Sequence, residues 1–508
     1  MSEKKQLILN MSASFISYGI TLVISFFLSP YIIKTIGVEA NGFISLANNF
    51  VSYASLITLA LNSLAGRFIT ISLVQGETKK ANIYFSSVFY ANIVISIVLF
   101  VIGAFIVVFL ERLIEIPSSL ILDVKLLFTV LFLNCIISVV GSVFSVATFA
   151  RNKLYLESLR NIESNFARAL CIVALFAILQ PRVSYVGIAS LIAGIYVLLC
   201  NIYYTKKLLP EIEIKKSYYD KRTIIELISG GIWNTISRLG QIFTNGLDLL
   251  VTNLFINSTA MGVLALAQTV PNLIGGVMNS IVGVFSPNYT ILYAEGRHDE
   301  LLKRIKQSMK IMGIMTNLPI IDLIVCGQDF FRLWQPTQDA TELQQLSLWI
   351  IGCLIFSGGI NCLYGIFTVV NKIKANSLVT VCTGFLSVVI TLVLVKTTNW
   401  GIYAIAGTST VISILRNLVF TAPYGAKCLN VKWYTFYPEI FRPVLYVVVS
   451  SIIGFWVTSF IPEGGWILFF LKCFIVGALA IVVGVSVILN SEERKIVGET
   501  IRKRSKNN

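Results

Sequence analysis

Long uncharged stretches recur along the whole chain. A helix needs about 20 mainly apolar residues to cross a membrane, because unpaired backbone groups are costly in hydrocarbon. By this rule the sequence predicts about fourteen transmembrane helices. Ten are uncharged or nearly so: 8–33, 41–66, 81–110, 126–150, 183–205, 260–294, 343–371, 375–395, 443–461 and a run within 466–490. Four carry one or two charges: 161–180, 227–256, 311–328 and 401–424.

Basic residues concentrate in every second loop between these predicted helices, and so on one side of the membrane. Roughly 30 Lys and Arg fall in the loops on the side of the termini and roughly six in the opposite loops, and cytoplasmic loops carry such an excess. The sequence therefore predicts that both termini are cytoplasmic. The uncharged stretch after the basic N-terminus is too long for a signal-peptide core, so the first helix is predicted to remain as an anchor. The clusters lie at 79–80, 151–153, 206–222, 297–306, 372–374 and 502–506.

Composition supports a membrane protein and argues against several other classes. Of the 508 residues, 56% are hydrophobic and 13% charged, unlike a soluble domain. The net charge of +15 comes from loop clusters without interleaved aromatic residues, so it does not indicate nucleic-acid binding. The nine Cys form no CxxC pair, and the single His298 lies in a polar run, so we expect no metal site. No GxxxxGK[ST] loop occurs, so we expect no ATP-driven motor and no bound cofactor.

Two halves of the sequence resemble each other. GFISLANNF at Gly42 matches GVLALAQTV at Gly262, and Gln75-Gly76 matches Glu295-Gly296 at the same shift of about 220 residues. An even number of helices per repeat gives both repeats the same orientation, with a pseudo-twofold axis along the membrane normal. The predicted organisation is a six-helix lobe at 1–205, a cytoplasmic linker at 206–226, a second six-helix lobe at 227–426, and two further helices with a basic tail at 427–508.

Three segments carry a family resemblance. These are KTIGVEANGFISLA, LAGRFITISLVQGE, and the helix with Asp248 followed by GVLALAQTVPNL. They resemble the polysaccharide transporter family, the O-antigen and capsule repeat-unit flippases, of the multidrug/oligosaccharidyl-lipid/polysaccharide (MOP) superfamily.

The resemblance implies a two-lobe flippase of the bacterial cytoplasmic membrane, without catalytic activity. It would carry an undecaprenyl-diphosphate-linked oligosaccharide to the outer leaflet by alternating access. Its partners would be this substrate, membrane lipids, and a polysaccharide polymerase with glycosyltransferases. The alternatives are a lipid II flippase or multidrug exporter of the same superfamily, or a membrane-embedded polysaccharide polymerase.

Four arginines in or near the predicted helices are candidates for pairing the diphosphate or sugars of the cargo: Arg168, Arg238, Arg416 and Arg67. An Arg guanidinium binds a phosphate through two parallel hydrogen bonds. A charged residue within a membrane helix is costly, so its presence there is a hypothesis of function. The alternative for these residues is that the side chains reach along the helix to the membrane surface.

Two aspartates are candidates for coupling to H⁺ or Na⁺, or for gating. Asp248 lies near the middle of its predicted helix, where an unpaired carboxylate is costly. The structural alternative is a buried carboxylate capped by Asn245, by Asn253 or by a neighbouring helix. Asp322 follows Pro319 and is otherwise typical of a hydrated carboxylate near the outer end of a helix. Lys472, near the outer end of the last helix, is expected to reach the membrane surface.

Overall fold

The computed structural model describes residues 3–370, 372–491, 493 and 494, and the regular elements among them are all helical. Thirteen of the helices in this part of the chain are long and apolar enough to cross a membrane. The predicted all-α membrane fold is therefore confirmed. The basic cluster predicted at 502–506 lies outside the described residues.

The chain divides into two compact units, residues 1–265 and 266–508. The boundary falls inside α11, and the lobe limits predicted from the repeat remain a prediction. The helices of unit 1 are α1 Glu3–Ile36, α2 Val38–Val74, α3 Thr78–Val108, α4 Leu110–Leu113, α5 Ile121–Gly141, α6 Val146–Ala150, α7 Leu154–Ile178, α8 Ser184–Leu208, α9 Lys221–Gln241, α10 Asp248–Phe255 and α11 Ser258–Ala267. Those of unit 2 are α12 Thr269–Ala294, α13 His298–Trp334, α14 Ala340–Val369, α15 Ile373–Thr397, α16 Ile402–Arg416, α17 Ala422–Cys428, α18 Tyr437–Thr458 and α19 Trp466–Ile488.

The segment predicted as a continuous membrane helix at 227–256 is irregular. It consists of α9, a π-helical turn at Ile242–Gly246, and the short α10. It is absent from the thirteen candidate spans found in the described residues. The helix α9 carries four charged residues, Lys221, Arg222, Glu226 and Arg238, and α10 has only eight residues. Single π-turns inside helices occur mostly at functional sites, so the irregularity marks this segment for closer inspection.

The linker predicted at 206–226 lies along the start of α3. Asn82 accepts a hydrogen bond from the backbone amide of Glu213 at 3.0 Å, and Ser87 accepts one from Asp220 at 2.9 Å. Asp220 in turn caps α9, where its side chain accepts from the hydroxyl of Thr223 at 2.9 Å. This bond, with backbone amides of the first turn, lowers the pKa of Asp220 below its ordinary value. The linker thus sets where α9 begins.

The predicted repeat has a structural counterpart in two turns. Gly76 and Gly296, which the repeat pairs, follow α2 and α12 with positive φ of 76° and 72°. In both turns the amide of the next residue donates to the carbonyl five residues before it, at 2.9 Å and 3.0 Å. Glycine adopts this left-handed conformation at no steric cost, which explains its place after both helices.

A second pair of matched glycines, Gly42 and Gly262, lies in direct contact. A Cβ added to Gly42 would lie 2.8 Å from Cα of Gly262, and one added to Gly262 would lie 2.5 Å from the carbonyl oxygen of Val38. Both glycines belong to unit 1, where their contact lets the N-terminal part of α2 approach α11 closely. The pseudo-twofold relation of the two repeats stays a prediction.

The final pair of helices, α18 and α19, packs on α13 around buried side chains that include Ile321, Tyr446 and Val476. Two ion pairs join α13 to the end of the chain: Lys472 of α19 bonds Asp329 at 2.7 Å, and Glu493, five residues after α19, bonds Lys310 at 2.8 Å. The expectation that Lys472 reaches the membrane surface is therefore wrong. Its side chain is only 7% exposed, because a carboxylate on the neighbouring helix neutralises it in place.

Candidate functional site

The helix α7 presents a polar face inside unit 1. It begins after Asn152, which has a positive φ of 53°, and ends three residues before Pro181. Ser164, Asn165 and Arg168 recur at helical spacing, so they share one side of the helix. Asn165 donates a hydrogen bond to Thr21 on α1 at 3.1 Å, and Ser164 donates one to the carbonyl of Ala193 on α8 at 3.5 Å.

Arg168 differs from its neighbour Arg160 in its electrostatic environment. Arg160 forms a 2.6 Å ion pair with Glu163 and donates to the Tyr196 hydroxyl at 3.0 Å. Arg168 is half-buried, and its Nε is buried without a hydrogen-bond partner among the described residues. A buried guanidinium without a protein acceptor is suited to an anionic ligand, since it gains most from a charge-assisted bond.

Arg168 lines a cavity of about 330 Å³ within unit 1, which we call the Arg168 cavity. Its lining is rich in neutral polar groups and contains no carboxylate. The amides and hydroxyls can donate and accept hydrogen bonds, which suits a hydroxylated ligand with negative charge. The polar lining residues besides Arg168 are Asn48, Asn134, Ser138, Ser142, Ser164, Asn165, Ser190 and Asn201.

The position of Asn134 depends on a glycine across the cavity. A Cβ added to Gly194 would lie 2.0 Å from the Asn134 Oδ1 atom, so only glycine leaves room for this amide. That oxygen is buried and, within the described part of the chain, has no hydrogen-bond partner. Like Arg168, it is a polar group that a ligand or water would satisfy.

Asp248 begins α10, two residues after the π-helical turn ends at Gly246. The carbonyl of Gly246 at the end of that turn accepts hydrogen bonds from the Tyr53 hydroxyl and from Asn49 on α2. Of the alternatives for a cap on Asp248, the structure disfavours Asn253, because this side chain exchanges two hydrogen bonds, of 2.8 and 2.9 Å, with the backbone of Glu115. Asp248 therefore lies half-buried at a helix irregularity that α2 stabilises.

The other two arginines predicted in this unit are exposed and do not line the Arg168 cavity. Arg238 on α9 donates to Gln241, one turn further along its own helix, at 3.1 Å. Arg67 lies on α2, seven residues before that helix ends. Unit 1 contains four of the candidates predicted from the sequence, namely Arg67, Arg168, Arg238 and Asp248. Of these four, only Arg168 lines the cavity.

Arg416 ends α16 in unit 2, directly before a second π-helical turn at Asn417–Thr421. It donates to the Tyr364 hydroxyl at 3.3 Å, and that hydroxyl donates to Asn417 at 2.9 Å. Its Nε is buried without a partner in the described residues. Arg416 is thus held by a hydrogen-bonded chain, with no acidic residue in it.

Asp322 does not lie at the end of its helix. The helix α13 continues for twelve residues beyond it, to Trp334, or about 18 Å. The oxygen Oδ1 is buried and, in the described region, has no partner. The expectation of a hydrated helix-end carboxylate is therefore wrong, because the helix runs on past Pro319.

Most residues around Arg168 were not singled out from the sequence. Asn134 lies within the apolar run 126–150, and a lone amide in such a run is itself a signal. The grouping of residues from four helices depends on how those helices pack. Among the described residues, no group of three or more His, Cys, Asp or Glu forms a metal site.

Comparison with known proteins identifies the family. The family model of the polysaccharide biosynthesis proteins matches residues 7–290. Over 495 residues, the chain is 27% identical to the uncharacterized membrane protein EpsK of Bacillus subtilis (strain 168), covering 97% of this chain and 98% of that relative.

Solved structures show the same fold. An inward-facing multidrug resistance MATE family transporter of the MOP superfamily matches with a TM-score of 0.68 at 11% identity, covering 83% of this chain and 98% of its own. The lipid II flippase MurJ in an inward closed conformation matches with a TM-score of 0.65 at 13% identity, covering 94% and 98%. Because the family model matches more than half of its length, this chain belongs to the polysaccharide biosynthesis protein family and has the fold of MOP-superfamily transporters.

Proposed function

We propose that this protein is a flippase for undecaprenyl-diphosphate-linked oligosaccharide repeat units. It moves them from the cytoplasmic to the outer leaflet of a bacterial cytoplasmic membrane by alternating access, with both termini cytoplasmic. The repeat units serve capsule, exopolysaccharide or O-antigen assembly, and glycosyltransferases and a polysaccharide polymerase act before and after transport. Membership of a polysaccharide biosynthesis family supports this role.

The physical problem of such a cargo fits a transporter of this kind. A sugar chain with a diphosphate cannot cross hydrocarbon unaided, since burying unpaired charges and hydroxyls is costly. Its polyprenyl chain is apolar and can remain in the lipid bilayer. The protein therefore has to offer polar and cationic groups to the head group alone.

The Arg168 cavity is the observation that carries the proposal. It combines one arginine that has no acidic partner with the amides and hydroxyls of four helices. A guanidinium forms paired hydrogen bonds with a phosphate, while amides and hydroxyls match sugar hydroxyls. These are the groups that a sugar diphosphate would bind.

Two alternatives within transport differ in how well this lining suits them. Lipid II also has a diphosphate-linked sugar head group, and the MurJ fold covers 94% of the chain, so a lipid II flippase is the second candidate. A cationic drug would meet Arg168 without any carboxylate in the lining, which disfavours a multidrug exporter.

The energy source would be an ion gradient, the membrane potential, or consumption of the product outside. Asp248 is a candidate for coupling to H⁺ or Na⁺, since it lies at a π-turn that α2 contacts through Tyr53. Such helix irregularities permit local rearrangement around a bound ion.

Transport of fluorescently labelled lipid-linked oligosaccharide in proteoliposomes tests the proposal. The Arg168→Gln variant should transport at least about tenfold more slowly, since a hydrogen bond to a charged group contributes about 1.5–3 kcal/mol. Arg168→Lys should recover only part of the rate, because lysine keeps the positive charge but cannot form the paired hydrogen bonds of a guanidinium.

The matched control is Arg182→Gln, which removes an exposed arginine from the loop between α7 and α8 and should leave the rate unchanged. Lipid II and a cationic dye serve as competing substrates in the same vesicles. The proposal fails if the wild type moves lipid II or the dye and not the oligosaccharide. The Arg168 cavity does not bind the cargo if Arg168→Gln inserts normally and transports at the wild-type rate.

A further inference from the structure

A second cavity of unit 1 lies where the linker between α8 and α9 crosses α3, and it shares no lining residue with the Arg168 cavity. Its volume is about 340 Å³, and we call it the linker pocket. Two of its lining side chains are polar, Thr205 and Lys206, and the others are apolar. The apolar lining includes Phe85, Phe144, Ile202, Leu209, Ile212 and Ile214.

The hydroxyl of Thr205 already has its partners. It bonds the carbonyl of Phe144 at 2.9 Å and the carbonyl of Asn201 at 2.8 Å. Lys206 is therefore the one lining side chain with a polar group left to offer a ligand. A sugar would find few hydrogen-bond partners here, whereas an apolar chain with a negative charge at one end matches both parts of the lining.

Hydrogen bonds to α3 fix the linker wall of this pocket. Ser86 donates to the carbonyl of Glu213 at 3.2 Å, and Asn82 accepts from the amide of the same residue at 3.0 Å. Ile212 and Ile214, on either side of Glu213, both line the pocket. The pocket is thus held open by a backbone that is bonded in place.

The side of α8 that faces the lipid leads directly into the linker pocket. Ile192, Ile195 and Leu199 are 49%, 40% and 60% exposed on this candidate membrane helix. Exposed apolar side chains on a membrane helix contact lipid chains. Ile202 and Lys206 continue the same column at spacings of three and four residues. A lipid chain that follows α8 therefore reaches the pocket and meets Lys206 at its end.

The free positive charge at the pocket belongs to Lys206, in the last turn of α8. Glu211 and Glu213 of the linker are already paired, with Arg151 and Lys215 respectively. Lys206 has no such partner in the described part of the chain. Lysines at the end of a membrane helix lie at the level of the lipid head groups, where they attract anionic lipids.

We propose that the linker pocket binds one anionic phospholipid from the leaflet on the side of the basic loops. An acyl chain lies against Ile202 and Ile214, and the phosphate pairs with Lys206. A lipid with a choline or ethanolamine head group brings its own positive charge next to Lys206, so the site selects a net negative head group.

The bound lipid would connect α8 to the linker. Its chain contacts residues of both, and the linker in turn carries Asp220, which caps α9. Binding therefore stabilises the segment that sets where α9 begins.

Thermal unfolding of the purified full-length protein in mixed micelles tests this site without any cargo, so the result does not depend on the proposed transport function. Dioleoyl phosphatidylglycerol should raise the midpoint and saturate, because a ligand that binds only the folded state stabilises it. Dioleoyl phosphatidylcholine has the same chains without net charge, and glycerol phosphate has the charge without chains. Neither should raise the midpoint.

Lys206→Gln should require about fivefold more phosphatidylglycerol for the half-maximal shift, from the attraction of one lysine to an anionic lipid surface. Ile214→Asn should weaken binding as well, because it replaces part of the apolar wall. Both side chains are exposed, so both variants should fold.

The matched control is Lys216→Gln, which removes an exposed lysine of the same linker that does not line the pocket. It should leave the titration unchanged. Equal effects of Lys206→Gln and Lys216→Gln would show diffuse attraction to the basic linker and overturn the proposal. Equal shifts with phosphatidylcholine, or a shift with glycerol phosphate alone, would overturn it too.

Discussion

Charged side chains within the membrane helices differ in the partners that folding gives them. Lys472 has a carboxylate from a neighbouring helix, whereas Arg168 and Asp322 each have a buried atom without a partner in the described region. The sequence shows that each charge lies in an apolar run, and it does not show the partner. The unpaired groups are therefore the stronger candidates for ligand binding, and Lys472 has a structural role.

Removing Lys472 should destabilise the protein through the aspartate that remains. In Lys472→Met, Asp329 becomes a buried charge without a partner, and the free energy of unfolding should fall by about 3–5 kcal/mol. Reversible unfolding in mixed micelles measures this loss. Lys472→Met combined with Asp329→Leu should return close to the wild-type value, because no unpaired charge remains.

The control for this pair is Arg332, which bonds Glu463 at an exposed site on the same side of unit 2. Arg332→Met should cost at most about 1 kcal/mol, since exposed pairs contribute little. Equal losses in the two single variants would contradict a special role for burial.

At the scale of elements, most helices follow the predicted apolar runs closely. The segment 227–256 differs, because α9 ends in a π-helical turn before α10. Apolar length predicts where a helix crosses, but a π-turn depends on contacts such as the bond from Tyr53 to the Gly246 carbonyl. The matched glycines were visible in the sequence, while their mutual contact was not.

Gly42 should not tolerate a side chain. In Gly42→Ala the added methyl group would lie 2.8 Å from Cα of Gly262. Because this neighbour is backbone, one of the two helices would have to move to make room. Overpacking of this kind costs about 1–3 kcal/mol of stability, measurable by unfolding in mixed micelles. Gly275→Ala is the matched control: its added Cβ has nothing within 4 Å, and alanine favours a helix, so stability should not fall. A similar loss in both would show that the glycine contact is unimportant.

At the scale of the whole molecule, the excess of basic residues in alternate loops predicts the orientation. Among the described residues, thirteen helices are long and apolar enough to cross a membrane, and the irregular α9–α10 segment decides whether the number of crossings is odd or even. An even number would place both termini on the same side, which the basic loops predict to be the cytoplasm. The Arg168 cavity is likewise a property of this scale, since its lining comes from four helices.

Reporter fusions test the orientation and the crossing together. A fluorescent protein fused within the 206–220 linker or after residue 508 should be fluorescent, because it folds in the cytoplasm. Alkaline phosphatase fused at Asn257, after α10, should be active, because that site is expected outside. Inactive phosphatase at Asn257 would mean that α9 and α10 do not cross, and the termini would then lie on opposite sides.

The sequence by itself determined that this is a helical membrane protein, where most of its helices lie, and the family that it resembles, and it predicted the repeat. Each of these depends on local composition or on similarity along the chain, and both can be read without coordinates. Tertiary structure decided which groups meet: Asn134 with Gly194, Lys472 with Asp329, and Arg416 with Tyr364. Such pairings depend on the rotation and register of packed helices, which a pattern of apolar residues leaves open because many packings bury the same surface.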